Sequence, residues 1–203
     1  MTDNMNELLY IAFEFHGHRC PALILGLRAG LAAMKVLGVE RSRDLELYLI
    51  SETGRDHAGG CFLDGLMVAT GCTYGKSNIE KTYCDKFAFI LIDVPNQRAV
   101  RVHLKPEQVE SMMQSRFATE RRKGTKLEEI PPEMLAPILT SALTKAEANF
   151  LDIGSVGDWE WKQTPKVFET ARCDHCHELT FVSKLTQKGA QQFCPCCLQA
   201  LNK

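Results

Sequence analysis

Apolar residues recur along this chain at two periods, helical and strand-like. Leu8, Leu9, Ala12, Phe13 and Phe15 fall at helical spacing and predict a short amphipathic helix ending at Gly17. A second helix is predicted from Pro21, with Leu23, Ile24, Leu27, Leu31 and Met34 as its core stripe and Gly38 as its stop. Gly26, Ala29, Gly30, Ala32 and Ala33 give it a small-residue face suited to close packing. The stretch Leu45 to Ile50, apolar apart from Glu46, has strand length and reads as a strand covered on both faces. It leads into a polar, glycine-punctuated loop, Ser51 to Gly60, after which Cys61 to Thr70 predicts a helix packed through Phe62, Leu66, Met67 and Ala69.

Phe87 to Val94 and Ala99 to Leu104 predict two strands joined as a hairpin by Pro95-Asn96-Gln97-Arg98. Val100, Val102 and Leu104 alternate with Arg101 and His103, so one side of the second strand is wet or charge-paired. Pro106 opens a helix that runs into the basic segment Arg116 to Lys126. Pro131 and Pro132 start another, with Met134, Leu135, Ile138, Leu139, Ala142 and Leu143 as its apolar set. Gly154 to Asp158 has linker chemistry, and Trp159, Trp161 and Phe168 around it suggest a docking contact.

Composition narrows the class of protein. At 203 residues the chain supports one good core and a small appendage, and 45% hydrophobic with 24% charged residues is ordinary for a globular protein. A formal charge of -1 exerts no global pull toward nucleic acid or an anionic membrane, and the longest tight apolar run, Phe87 to Ile92, is too short to span a bilayer. The polar, acidic start from Met1 to Glu7 lacks the features of a secretory signal, so a cytoplasmic protein is expected. Nine cysteines in that compartment point to metal or redox chemistry rather than to disulfides.

Candidate chemistry concentrates at two places. His16, His18 and Cys20 lie within five residues, directly before Pro21. Proline at the first helical position makes Cys20 the N-cap, where the helix dipole favours the thiolate that binds metal. The spacing predicts a core metal site with a transition metal, zinc first; the plainer reading is a polar loop with a buried cysteine. Cys61 follows Gly59-Gly60 and is expected to begin a helix, so the same dipole argument applies to it. His57 is a further candidate ligand, and Asp56 and Asp64 are candidate acceptors for a ligating imidazole, although Asp64 also reads as a first-turn helix carboxylate. Cys72 ranks below Cys61, because a continuous helix at ~1.5 Å per residue holds the two sulfurs on the order of 16 Å apart unless Cys72 faces the site from elsewhere. Glu52 reads as a general base or as a structural carboxylate. Lys76, in Gly75-Lys76-Ser77, offers an anion contact without the glycine spacing of a phosphate loop.

The second place is Cys173-x-x-Cys176 and Cys194-x-x-Cys197, separated by 17 residues. Each pair turns both thiolates to one side, and together they make the tetrahedral set of a structural zinc site. Fewer than forty residues surround it, so the metal supplies much of the folding energy. Cys196 could replace Cys194 or stay unligated.

The ordered motifs Phe15-His16-Gly17-His18-Arg19-Cys20-Pro21, Glu52-Thr53, Cys61, Thr70 to Lys76 and Val100-Arg101-Val102 resemble the signature of the FmdE family, named for formylmethanofuran dehydrogenase. The resemblance spans roughly residues 10 to 110. It implies an α+β core binding metal through this His and Cys set, a carboxy-terminal zinc finger that Cys173, Cys176, Cys194 and Cys197 fit, and a closely intertwined homodimer. The family name adds association with a molybdenum or tungsten oxidoreductase. Ala22 replaces a glycine frequent in relatives, and Gly54 to Gly60 is longer than the usual link. The expected organisation is therefore a metal-binding core over 1–153, a linker over 154–166 and a zinc ribbon over 167–203. Two other functions compete with the accessory-protein reading. One is a metal-responsive regulator that contacts nucleic acid through the ribbon and Arg116 to Lys126. The other is an enzyme working through the Cys20 thiolate or the metal.

Overall fold

The structure, a computed structural model, describes residues 3–55, 57–162 and 168–201. The chain divides into two compact units, Met1–Trp161 and Lys162–Lys203. The first is an α+β unit. It comprises α1 (Asp3–His16), α2 (Pro21–Leu37), β1 (Leu47–Ser51), α3 (His57–Thr70), β2 (Ile79–Lys81), β3 (Ala88–Asp93) and β4 (Arg98–Leu104), followed by α4 (Pro106–Gln114), α5 (Arg116–Arg122), α6 (Pro132–Thr144), β5 (Leu151–Ile153) and β6 (Gly157–Asp158). The sheet order is β2-β1-β3-β4-β5, with β6 also on β4. β2 joins β1 in parallel through the α3 crossover, while β3, β4, β5 and β6 pair antiparallel.

α2 is the hub of the core. Its sequence is apolar almost all round, and it is buried on nearly every side, as a helix with no polar face must be. Gly38 ends it in the left-handed conformation at φ 66. α3 runs alongside in the same direction and very close, because glycines remove the intervening side chains. A Cβ on Gly26 would overlap the Phe62 carbonyl, one on Gly65 would overlap the Leu23 carbonyl, and one on Gly30 would stand 2.7 Å from the Ala69 Cβ. The small-residue face expected of α2 thus meets α3.

Two expectations need correction. β1 is not covered on both faces: Leu47, Leu49 and Ser51 are buried, while Tyr48 and Ile50 are only half-buried. Leu49 shares its row with Leu91 and Val100 in the main core, whereas the far face is covered locally, as where Trp161 stacks on Tyr48 with ring centroids 3.9 Å apart. Cys61 does not begin a helix either. α3 starts at His57, so Gly59 and Gly60 lie inside its first turn and Cys61 in its second.

The helix from Pro106 is broken at Ser115, whose Oγ accepts from the Ala118 N–H at 3.1 Å and caps α5. α6 is anchored by Arg28, which donates to the Ala142 and Lys145 carbonyls at 2.7 and 2.6 Å and lies over the Phe150 ring. Within the expected 154–166 linker, Gly157 and Asp158 form β6 and the Trp159 N–H donates to the Gln97 carbonyl at 2.7 Å; residues 163–167 lie outside the described residues. No helix among the described residues is long and apolar enough to cross a membrane.

The second unit is a small ribbon of two hairpins and a helix. β7 (Thr170–Arg172) pairs with β8 (Leu179–Phe181), β9 (Thr186–Lys188) with β10 (Gln191–Phe193), and α7 (Pro195–Leu201) closes it. Its buried apolar core is Cys173, Phe193 and Cys197.

Candidate metal centre

The core cluster forms where α1 ends, α2 begins and α3 passes beneath. His16 is the last residue of α1. Gly17 then takes φ +83, a left-handed turn that glycine enters without strain, and its N–H donates to the Phe13 carbonyl at 2.8 Å. The chain reverses through His18 and Arg19 to Cys20, which is the N-cap of α2 in an extended conformation, with Pro21 at the first helical position. Close α2–α3 packing brings Cys61 up from below. One donor atom from each of His16, His18, Cys20 and Cys61 lies within 4.8 Å of all the others. The imidazole centroids of His16 and His18 are 4.3 Å apart.

Asp64 sits one turn after Cys61 on the same face of α3. The His16 Nδ1–H donates to its Oδ2 at 2.7 Å, which turns Nε2 inward. Among the described residues, His16 Nε2 is the buried side-chain nitrogen or oxygen left without a hydrogen-bond partner. A buried, unpartnered imidazole nitrogen costs free energy unless something accepts its lone pair. Two nitrogens and two sulfurs converge here with one imidazole braced by a carboxylate, which is the donor set and support that zinc takes. The residues present therefore fit a metal ion.

The electrostatics favour the same donors. The Cys61 thiol donates toward Cys20 and holds its pKa far below the ordinary thiol range, with His16 and His18 adding to the effect against burial. The same contact, with burial, pushes Cys61 up. The Cys20 sulfur and the Asp64 carboxylate raise the His16 pKa, and burial works against them.

The other sequence candidates lie elsewhere. Cys72 is fully buried beyond the far end of α3, where burial pushes its thiol up to about 11, and it is not part of the cluster. Asp56 and the side chain of His57 lie outside the described residues. Lys76 donates from Nζ to the carbonyls of Ser42 and Arg43 at 3.1 and 3.4 Å, so its charge closes a loop. Glu52 is held by Arg101 through bonds of 2.6 and 2.8 Å, a structural pair.

Sequence reasoning missed what faces the cluster. A cavity of about 280 Å³ opens onto His18, Cys20 and Cys61 and is walled by residues of α4, α5 and α6, among them Met112, Phe117 and Ile138. Apolar spacing marks those residues as helix faces but gives no sign of which surface they cover.

In the ribbon, the donor atoms of Cys173, Cys176, Cys194 and Cys197 also lie within 4.8 Å of one another. Backbone N–H groups of Cys176 and Cys194 hold the Cys173 pKa at about 6. Asp174 ties the two turns together by accepting from the Gln192 N–H at 2.6 Å. Cys196 is exposed and outside the set.

Comparison with known proteins agrees with this architecture. A tungsten formylmethanofuran dehydrogenase FmdE-like protein of Syntrophus aciditrophicus, a solved structure, shares the fold at a TM-score of 0.60 and 18% identity, over 97% of this chain and 92% of that one. A protein of Archaeoglobus fulgidus described as a probable S-adenosyl-L-methionine-binding protein is 28% identical over 198 residues, 89% of this chain. The chain spans about half the length of that curated relative, 50%. Residues 15–152, which hold the four core donors and strands β1 to β4, match the family model described as FmdE, Molybdenum formylmethanofuran dehydrogenase operon, and the chain belongs to that family.

Proposed function

We propose that this protein is an accessory metalloprotein of a molybdenum- or tungsten-dependent one-carbon oxidoreductase, with a His2Cys2 ion in its core and a structural zinc ion in its ribbon. The observation that carries the reading is His16, whose buried Nε2 has no hydrogen-bond partner while Asp64 fixes the ring from the other side. In this reading His16, His18, Cys20 and Cys61 hold zinc in the core, and Cys173, Cys176, Cys194 and Cys197 hold it in the ribbon. When bound, the core ion would have four protein donors, and it would act as a Lewis acid beside the cavity only by taking a fifth ligand. The ribbon cysteines fill a tetrahedral set and leave no open position, so their ion serves folding and partner docking. Homodimer assembly, docking to a larger oxidoreductase complex and a cytoplasmic site of action belong to the same reading and are supported by family membership.

One observation weighs against a nucleic-acid contact. Lys123 pairs with Glu120 at 2.8 Å, and Arg121 and Arg122 line the cavity, so the basic segment does not present a uniform surface to nucleic acid. The test is metal content per chain in the native protein and in a His18→Ala, Cys20→Ala double variant. Two ions falling to one supports the core centre, and one ion in both leaves only the ribbon.

A further inference from the structure

The cavity over the core donors is selective in its lining. Its volume, about 280 Å³, lies just under the ~300–1,000 Å³ usual for small-molecule sites, so it suits a compact ligand. Met112, Met113, Phe117, Leu127 and Ile138 make its walls apolar. Arg121 and Arg122 bring fixed positive charge to this lining. Backbone carbonyls orient both guanidinium groups, with the Thr119 hydroxyl adding a bond to Arg122. Arg121 Nη1 donates to the Thr125 carbonyl at 2.8 Å, Arg122 Nη1 donates to the Met113 carbonyl at 2.8 Å, and Arg122 Nη2 donates to the Thr119 hydroxyl at 3.2 Å.

A guanidinium fixed beside an apolar wall selects an anion with an apolar body: the planar fork matches a carboxylate, and the wall rewards burial of the chain behind it. We propose that this cavity binds a small apolar monocarboxylate, its head on Arg122 and Arg121 and its body along Met112, Phe117 and Ile138. His18, Cys20 and Cys61 share the cavity, so the ligand is delivered to the face of the core donors. The inference deepens the metal-centre reading and rests on it for what the ligand meets there.

The test titrates zinc-reconstituted full-length protein with octanoate, octylamine and octanol, and counts ions per chain on the same samples. Octanoate binds at least tenfold tighter than the other two. Arg122→Gln removes that preference with the ion count still at two, and Ile138→Trp, which fills the cavity, abolishes octanoate binding. Equal binding of the three probes overturns the proposal. So does an octanoate preference that survives both Arg122→Gln and Arg121→Gln, because the head then engages the ion instead. Two ions per chain without an octanoate preference sinks this inference alone. One ion per chain sinks the metal-centre reading, and an octanoate preference in that sample leaves the cavity assignment standing by itself.

Discussion

Gly26 of α2 lies so close to Phe62 of α3 that a single added methyl group would overlap the Phe62 carbonyl oxygen. Cys20 and Cys61 sit on these same two helices, each within six residues of that contact, so the helix spacing sets the sulfur spacing.

Gly26→Ala is therefore expected to push the helices apart, because a backbone carbonyl cannot swing aside as a flexible side chain can. Overpacking of this kind costs about 1–3 kcal/mol. Thermal unfolding reads that loss, and metal analysis of the folded variant reads a core ion lost with the ribbon ion retained.

Asp64 acts on the centre through His16. Removing it by Asp64→Ala leaves the four donors in place but frees the His16 ring to turn. Loss of such a supporting carboxylate typically weakens metal binding ~10–100-fold. A chelator competition titration measures the change, with the stability of the metal-free chain serving as control.

Chelation acts unequally on the two units. Among the described residues, the buried core of the ribbon is Cys173, Phe193 and Cys197, whereas the first unit has an extended core around α2 and the sheet. Metal removal is expected to unfold residues 168–201 while the first unit stays folded. Backbone amide NMR signals report this directly: the ribbon peaks collapse to unfolded positions and those of β3 and β4 remain.

Glu46 sets a pH dependence apart from the metals. Its carboxylate accepts from the Asp44 and Arg43 N–H groups at 2.9 and 3.0 Å and from the Ser42 hydroxyl at 3.0 Å. These bonds, led by the backbone of Asp44, hold its pKa at about 2 against an ordinary 4.5. A depressed carboxylate pKa stabilises the fold fully above 4.5, and that contribution is lost as pH falls through about 2. The stability difference between wild type and Glu46→Gln, read from urea midpoints, should be constant above pH 4.5 and close between there and about 2. Metal loss at low pH affects both proteins alike and cancels in the difference.

Much of the site was legible because its signals are local. Pro21 after Cys20 marks an N-cap, Gly17 marks the preceding turn, and the paired Cys-x-x-Cys spacing marks a knuckle without any knowledge of the fold. The start of α3 was hidden because Gly59 and Gly60 read as loop punctuation, yet both lie in the helix. Tyr48 and Ile50 completed an apolar run that concealed the alternation of β1. The wall of the cavity was out of reach for a different reason. Met112, Phe117 and Ile138 belong to helices on the far side of a hairpin from the cluster, and amphipathic spacing marks a buried face without naming the surface it covers.

The central claim is that His16, His18, Cys20 and Cys61 hold one ion between them. X-ray absorption at the edge of the bound metal, on the full chain with the ribbon disabled by Cys173→Ser and Cys176→Ser, tests it most directly. The account predicts one ion per chain whose nearest neighbours are two nitrogens and two sulfurs, with scattering from imidazole rings. A sample holding no ion, or an ion surrounded by oxygen without sulfur, would contradict it.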